Sequence, residues 1–158
     1  MIPGRAGRPV SDGGPEVPEP TPTGGDEFAR LDATAQAELV RSGEVTPLEL
    51  VEAAIARIER LNPRLNAVIH PLFDKARGQA ADPALPDGPF RGVPFLVKDA
   101  VCHTAGDPYH LGMRFLKQRG WVAETDTELA RRFRAAGLVF VGKTNTPELA
   151  MSATTEPL

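Results

Sequence analysis

Cysteine is almost absent from this sequence, which contains a single one, Cys102, among its 158 residues. One cysteine cannot form an intramolecular disulfide, so nothing in the composition requires an oxidising compartment. The sequence also has no run of about 18 apolar residues that could span a membrane, and no apolar stretch follows its N-terminal arginines as in a secretory signal. We therefore expect a cytoplasmic protein with no membrane partner.

An excess of basic residues is absent as well, because 18 lysines and arginines stand against 21 aspartates and glutamates, for a net charge of -3. A protein that binds nucleic acid by neutralising phosphates needs a basic patch or stripe. The basic cluster of Arg131, Arg132 and Arg134 lies on a predicted helix, where it is typical of a solvated face. No nucleic-acid partner is expected.

Large aliphatic residues are scarce at the N-terminus, where residues 1–26 include six prolines and six glycines. Such a segment cannot bury enough apolar surface to offset the entropy that it would lose on folding. We predict a disordered extension over residues 1–27 and a folded portion over residues 28–158.

Local signals predict helices and strands through the folded portion. Asp32 caps a helix that Gly43 ends, and Thr46 with Glu49 forms a capping box at the start of a second helix that ends at Pro63. Further helices are predicted at 73–81, 109–119 and 125–136 and after Thr146, and strands at 67–72, 93–97 and 138–141, the first of these at a sheet edge.

The stretch from Phe90 to Asp99 contains an unbroken apolar run, Val93 to Val97, which is typical of a strand buried on both faces. Lys98 follows this run directly. An ammonium at such a position must reach water, find a partner or lose its proton, because burial disfavours the charged form of lysine. Two interpretations of Lys98 follow: a general base, or a lysine that marks where the sheet meets solvent.

Other residues with chemical potential are less well placed. Cys102 and His103 are adjacent, so in an extended segment their side chains point to opposite faces and do not form a nucleophile with its base. His103 and His110 lack carboxylates or thiolates at the spacing of zinc ligands, and His70 is interpreted as structural. No metal or cofactor is expected.

Residues Gly137 to Thr144 match the letters of a phosphate-binding P-loop, G-x-x-x-x-G-K-T. Such a loop requires flexible backbone between its glycines so that amides can converge on phosphate oxygens. Here the four residues from Leu138 to Val141 are strand formers, and a helix ends at Gly137. We therefore interpret this segment as a strand and Lys143 as an ordinary lysine at its end.

Several segments together, in this order, resemble the N-terminal part of the amidase signature family. They are Gly92–Asp99, Thr104–Gly106, Gly142–Glu148 and Thr154–Pro157. The resemblance runs from about Leu31 to Leu158. It implies an α/β fold, namely the N-terminal part of a mixed-sheet α/β/α sandwich, truncated, so that strands are left with uncovered faces or unpaired edges.

The resemblance also implies hydrolysis of amide bonds in small molecules by a Ser/cis-Ser/Lys triad. Lys98 matches the family's catalytic base, whereas the two serines belong to a glycine-rich stretch that follows the Thr154–Pro157 motif. The three serines of this chain, Ser11, Ser42 and Ser152, stand in no such stretch. We expect no amidase activity from these residues alone.

Three residues near the end of the chain, Ala150, Met151 and Ser152, resemble a substrate-binding segment of the family, although helix packing explains them equally well. The runs 32–44 and 66–73 look most like amidases of the 6-aminohexanoate cyclic-dimer hydrolase type. The A-type subunit of tRNA-dependent amidotransferases shares the same landmarks. A non-catalytic interaction module derived from this fold is the remaining alternative.

Overall fold

A computed structural model describes residues 26–155 of the protein. The predicted N-terminal extension lies outside the described residues apart from Asp26 and Glu27, which begin a 3-10 helix. Among residues 26–155, no helix is both long enough and apolar enough to cross a membrane. The helices are α1 Ala33–Ser42, α2 Pro47–Leu65, α3 Phe73–Ala81, α4 Arg114–Arg119 and α5 Glu128–Ala135, with 3-10 helices at Asp26–Arg30 and Glu148–Ala150; the strands are β1 Val68–Pro71, β2 Pro94–Lys98 and β3 Val139–Thr144.

The first two helices begin as the sequence predicts. The Asp32 carboxylate accepts a hydrogen bond from the Ala35 amide at 2.8 Å. At the start of α2, the Thr46 hydroxyl accepts from the Glu49 amide at 3.2 Å and the Glu49 carboxylate accepts from the Thr46 amide at 2.7 Å, which completes the capping box. These side chains satisfy amides that the first turn of a helix cannot pair internally.

The end of α2 differs from the prediction, because the helix continues through Pro63 to Leu65. Proline lacks an amide hydrogen and so removes one hydrogen bond of the ladder. Asn66 then takes a left-handed conformation with φ of 47° and donates its amide to the Asn62 carbonyl. The helix therefore closes on an asparagine in the cap position rather than at the proline.

The three strands form one mixed sheet in the order β1-β3-β2. β3 is central, parallel to β2 and antiparallel to β1, so β1 is an edge strand as predicted. β3 includes Gly142 and Lys143, which a P-loop would place in a turn. The interpretation of this segment as a strand is confirmed.

Side chains of β3 enter hydrophobic cores on both faces of the sheet. Phe140 packs in one core with residues of β2 and α5, including Val97 and Ala130. Val139 and Val141 pack in the other core with residues of α2 and α3, including Ile55 and Ala76. Helices therefore cover the central strand on both sides, which is the expected α/β/α layering.

β2 is less buried than its apolar sequence predicts. Val97 is buried, but Pro94, Phe95 and Leu96 are only half-buried. Among the described residues β2 pairs with β3 alone and forms the other edge of the sheet. A groove of about 370 Å³ lies beside it, lined mainly by apolar residues of α2 and β2 such as Ile58, Leu61 and Phe95. The expected unpaired edge and uncovered face are both present.

Three predicted helices are shorter than expected. The first begins at Arg114 instead of residue 109, because Leu111 and Gly112 have positive φ angles of 52° and 68°. The second begins at Glu128, where the Thr127 hydroxyl accepts from the Ala130 amide. After Thr146 only the 3-10 helix Glu148–Ala150 forms, since Leu149 also has a positive φ, 54°. These conformations depend on tertiary contacts such as the bond from the Leu149 amide to the Leu111 carbonyl, 3.0 Å.

Gly137, between α5 and β3, offers a test of this packing. Its φ is +87°, and a Cβ atom there would lie 2.5 Å from the Arg91 Cα. We predict that Gly137→Ala lowers the free energy of unfolding by about 1–3 kcal/mol, because both the backbone conformation and the contact become strained. Denaturation in urea measures this change.

Gly78 provides the matched control, because it lies inside α3 and a Cβ atom there would have nothing within 4 Å of it. Alanine favours a helix interior over glycine, so Gly78→Ala is expected to raise the free energy of unfolding by about 0.5–1 kcal/mol. Equal effects of the two substitutions would contradict the packing described at Gly137.

Candidate active site

Lys98, the predicted base, is the last residue of β2 and pairs with Thr144 of β3. Its side chain is exposed, and its amine donates a hydrogen bond to the backbone carbonyl of Asn145 at 3.0 Å. Asn145 is itself held next to the start of β1, since its amide donates to the Ala67 carbonyl at 2.8 Å. The position of the amine is thus defined by the ends of strands that meet here.

The burial that the sequence suggested for Lys98 belongs instead to Lys143. Its side chain is fully buried, and its amine lies 2.8 Å from Asp99 Oδ1 and donates to the Pro108 carbonyl at 2.7 Å. It also stands 4.7 Å from the centre of the Tyr109 ring. The interpretation of Lys143 as an ordinary lysine at a strand end is wrong, because it is a buried cation with a carboxylate, a carbonyl and an aromatic face around it.

Asp99 directly follows Lys98 and is fully buried. Its Oδ2 accepts hydrogen bonds from the amides of His110 and Leu111, at 3.0 and 3.1 Å. Removing one partner of a buried ion pair costs about 3–5 kcal/mol, since the other charge is left uncompensated. The Asp99 carboxylate therefore ties the residue after Lys98 both to β3 and to the loop that returns at His110.

The same loop is held by further polar contacts. The Lys75 amine lies 2.8 Å from a carboxylate oxygen of the buried Asp107 and donates to the Ala105 carbonyl at 3.0 Å. The Tyr109 hydroxyl accepts from the Val101 amide at 3.1 Å. These bonds give the loop between β2 and α4 a defined path without regular secondary structure.

Cys102 and His103 do not form a catalytic pair. The Cys102 side chain is buried beside the Thr127 hydroxyl, and burial raises the pKa of its thiol. The His103 ring packs instead against Tyr109 and Trp121. A thiol that is harder to ionise and has no imidazole partner is a poor nucleophile, as the sequence predicts.

His70, Asp99 and His110 come together, each offering a potential metal-ligand atom within 4.8 Å of the others. The expectation that His110 lacks a carboxylate nearby is therefore wrong. Both Asp99 oxygens are already engaged, and a divalent cation here would lie beside the Lys143 ammonium. The cluster is consequently a poor metal site, and the histidines are better described as packing groups whose rings meet edge to face at 4.4 Å.

The predicted substrate-binding residues follow β3 on the surface. Ala150 has a positive φ of 56°, and Met151 is 82% exposed. The Ser152 hydroxyl lies 3.2 Å from that of Thr154, within its own turn. The segment is accessible, and no helix packing accounts for Met151.

Sequence reasoning missed the roles of Asp99, Lys143 and Asn145. A signal was present, since Asp99 belongs to the motif of Lys98, and Lys143 and Asn145 belong to the next motif. Their pairing could not be foreseen, because it depends on the parallel register that sets Val97 beside Lys143 and Lys98 beside Thr144.

The family model described as Amidase matches residues 49–158, a range that includes Lys98, Asp99, Lys143 and Asn145. The chain belongs to the amidase family. A 6-aminohexanoate-cyclic-dimer hydrolase of Paenarthrobacter ureafaciens is 51% identical over 126 residues, which are 80% of this chain and 25% of that protein. The A-type subunit of a glutamyl-tRNA(Gln) amidotransferase of Salinispora arenicola is 40% identical over 136 residues, 82% of this chain and 27% of that protein.

The solved structure of 6-aminohexanoate cyclic dimer hydrolase complexed with substrate matches with a TM-score of 0.75 and 50% identity. The match covers 80% of this chain and 26% of that one. This amidase chain therefore spans about a quarter of the length of the relatives it matches. Fold class and family agree with the expectation from the motifs.

The buried histidines predict a loss of stability in acid. Burial lowers the pKa of His70 and of His110, with the charges of Lys143 and Lys117 acting in the same direction and Asp99 opposing them. The unfolded chain then takes up protons that the folded chain refuses, so stability falls as the pH drops below about 6.5.

We expect His70→Gln to weaken this dependence, because it removes one of the two groups. Unfolding free energies measured in urea at pH 8 and at pH 5 test the prediction. The two histidines are neutral in both states at the higher pH, so that measurement separates the loss of packing from the loss of titration. An unchanged difference between the two pH values in the variant would contradict it.

Proposed function

We propose that this chain forms the N-terminal part of an amidase in which Lys98 is the base of a Ser/cis-Ser/Lys triad that hydrolyses a carbon–nitrogen amide bond. The observation that carries the proposal is the position of the Lys98 amine. It stands at the carboxyl end of a strand parallel to its neighbour, an edge where α/β proteins commonly bind ligands. It is also accessible, as a base must be.

The bond to Asn145 suits a neutral amine. Neutral lysine has two N–H groups and one lone pair, and donation of one N–H to the Asn145 carbonyl restricts the direction of the lone pair. We propose that the lone pair accepts a proton through the bridging serine, which in turn deprotonates the nucleophilic serine. The serine oxygen then bonds to the amide carbon, and the proton passes back to the departing nitrogen.

Both serines of this triad come from outside the present chain. The Ser42 hydroxyl donates to the Leu39 carbonyl at 3.1 Å at the end of α1, and Ser152 pairs with Thr154. Neither lies in a glycine-rich loop that could supply backbone amides to an oxyanion. Ser11 lies outside the described residues.

For the substrate, we propose a small amide of the type that the cyclic-dimer hydrolase acts on, bound partly by Ala150, Met151 and Ser152. The 51% identity to that hydrolase, compared with 40% to the amidotransferase, supports this choice. The exposed Met151 side chain is suited to an aliphatic chain. An amidotransferase remains the second candidate, since it would use the same base on an amide of a different donor.

The 158-residue chain on its own is expected to hydrolyse no amide, because a cooperative triad without its nucleophile retains little activity. Release of free amine from 6-aminohexanoate cyclic dimer, followed by chromatography, measures this. Turnover that a serine-directed reagent abolishes would contradict the proposed origin of the serines.

The role of Lys98 can be tested in a hybrid, with this chain in place of the matching quarter of the Paenarthrobacter ureafaciens hydrolase. We predict that Lys98→Ala and Lys98→Arg both lower kcat by at least about 1,000-fold. Arginine retains the charge but cannot lose its proton, so its failure would separate a base from an electrostatic role.

Lys117→Ala is the control, since Lys117 is an exposed lysine on α4. It is expected to leave kcat within about twofold of the hybrid. Near-normal activity of Lys98→Ala would refute Lys98 as the base, and normal activity of Lys98→Arg alone would assign it a purely electrostatic role. The interaction-module alternative predicts that no lysine substitution alters the hydrolysis rate.

A further inference from the structure

We propose that Asp99 and Lys143 are positioning residues for Lys98, because their buried ion pair joins the two strand ends between which the Lys98 amine is held. This inference rests on the proposed function of Lys98 as a base. It assigns a role to two side chains that a triad of two serines and a lysine leaves unused.

The connection from the pair to the amine is short on both sides. Asp99 is covalently next to Lys98, and Lys143 stands two residues before Asn145, whose carbonyl receives the Lys98 amine. The Asp99 amide also donates to the Thr144 carbonyl at 3.0 Å, between these points. A shift of either strand end would therefore change the distance between the amine and the carbonyl that orients it.

The amine depends on this arrangement because its own side chain is weakly restrained. Lys98 is exposed, and its amine is carried on a flexible four-carbon stem. Its fixed points are the end of β2 and the Asn145 carbonyl. Both points are anchored to the Asp99–Lys143 pair, whose side chains are 0% exposed, so neither water nor salt weakens the attraction much.

The pair also decides which lysine balances the Asp99 charge. With Lys143 at 2.8 Å, the carboxylate has its counter-ion and does not need Lys98. If Lys143 were removed, an uncompensated carboxylate would stand one residue from Lys98 and would favour the protonated, inactive form of its amine. The other charged or titratable groups around Asp99 are His70 and His110, which burial keeps from protonating, and Tyr109.

Three variants of the hybrid enzyme separate these effects. Lys143→Met removes the cation, and Asp99→Asn with Lys143→Met removes both charges, so the double variant leaves no uncompensated ion. The control is Asp107→Asn with Lys75→Met, a pair with the same 2.8 Å separation and a buried aspartate elsewhere on the loop. Steady-state kcat and KM are measured across neutral and alkaline pH, with stability checked in urea.

A positioning role predicts a kcat about 100-fold lower in both the single and the double variant, with KM within about twofold. The pH at which activity rises is expected to move up by about one unit in Lys143→Met and to return in the double variant. The control pair is expected to keep the kcat and the pH profile of the parent hybrid. If Lys143→Met does not fold, the double variant alone decides the positioning role.

A double variant with the kcat of the parent would overturn the inference, as would an equal loss in the control pair. Failure of the proposed function gives a different result, since Lys98→Ala would then be active. That result overturns both proposals. Full loss in Lys98→Ala with a normal double variant overturns only the positioning role.

Amide hydrogen exchange on the 158-residue chain gives a second measurement that needs no turnover. In the double variant we expect exchange at the Asp99 and Asn145 amides to rise at least about tenfold, while Phe140 in central β3 keeps its protection. A hybrid that shows no turnover leaves the decision to this measurement. Unchanged exchange at Asp99 and Asn145 would overturn the inference.

Discussion

The ion pair between Asp99 and Lys143 is the interaction on which the site depends most. It places two opposite charges in a position without solvent and joins the ends of the two parallel strands. Such a pair contributes less to net stability than its Coulomb energy suggests, since both ions must be desolvated. Its value lies in geometry, because few arrangements of the strands satisfy the carboxylate, the ammonium and the two backbone amides at once.

The central strand is well covered in this chain, whereas the edge strand that bears Lys98 is not. β3 has strands on both sides and helices on both faces, so its residues from Val139 to Lys143 are all buried. β2 has one partner among the described residues, and the apolar groove beside it lies open. This asymmetry agrees with a chain that spans about a quarter of its relatives' length. It also explains why Lys98 is exposed here while Lys143 is not.

Two lysines thus stand at neighbouring strand ends with opposite environments. Lys143 donates to fixed acceptors and is closed to solvent, so it has no access to a substrate. Lys98 has one backbone acceptor and an open side. A search for the most buried lysine would therefore select the structural cation, and accessibility is the property that distinguishes the candidate base.

The amino-acid sequence by itself determined the elements whose signals are local. The caps at Asp32 and Thr46, the edge strand at Val68 and the helix from Phe73 to Ala81 were all predictable, because each depends on neighbours within one or two turns of chain. The family was also predictable, since its motifs are contiguous. The predicted helix after Thr146 and the predicted start of α4 were wrong, because the positive φ angles at Leu149 and Leu111 arise from a contact between two distant loops.

Only the tertiary structure decided which lysine is buried and what surrounds it. Apolar runs before Lys98 and before Lys143 look alike in sequence, and nothing local states that one strand is central and the other at an edge. Strand order and register are long-range properties, since they depend on pairing between residues far apart along the chain, as for Lys98 and Thr144. Burial follows from that pairing, and the chemistry open to each amine follows from its burial.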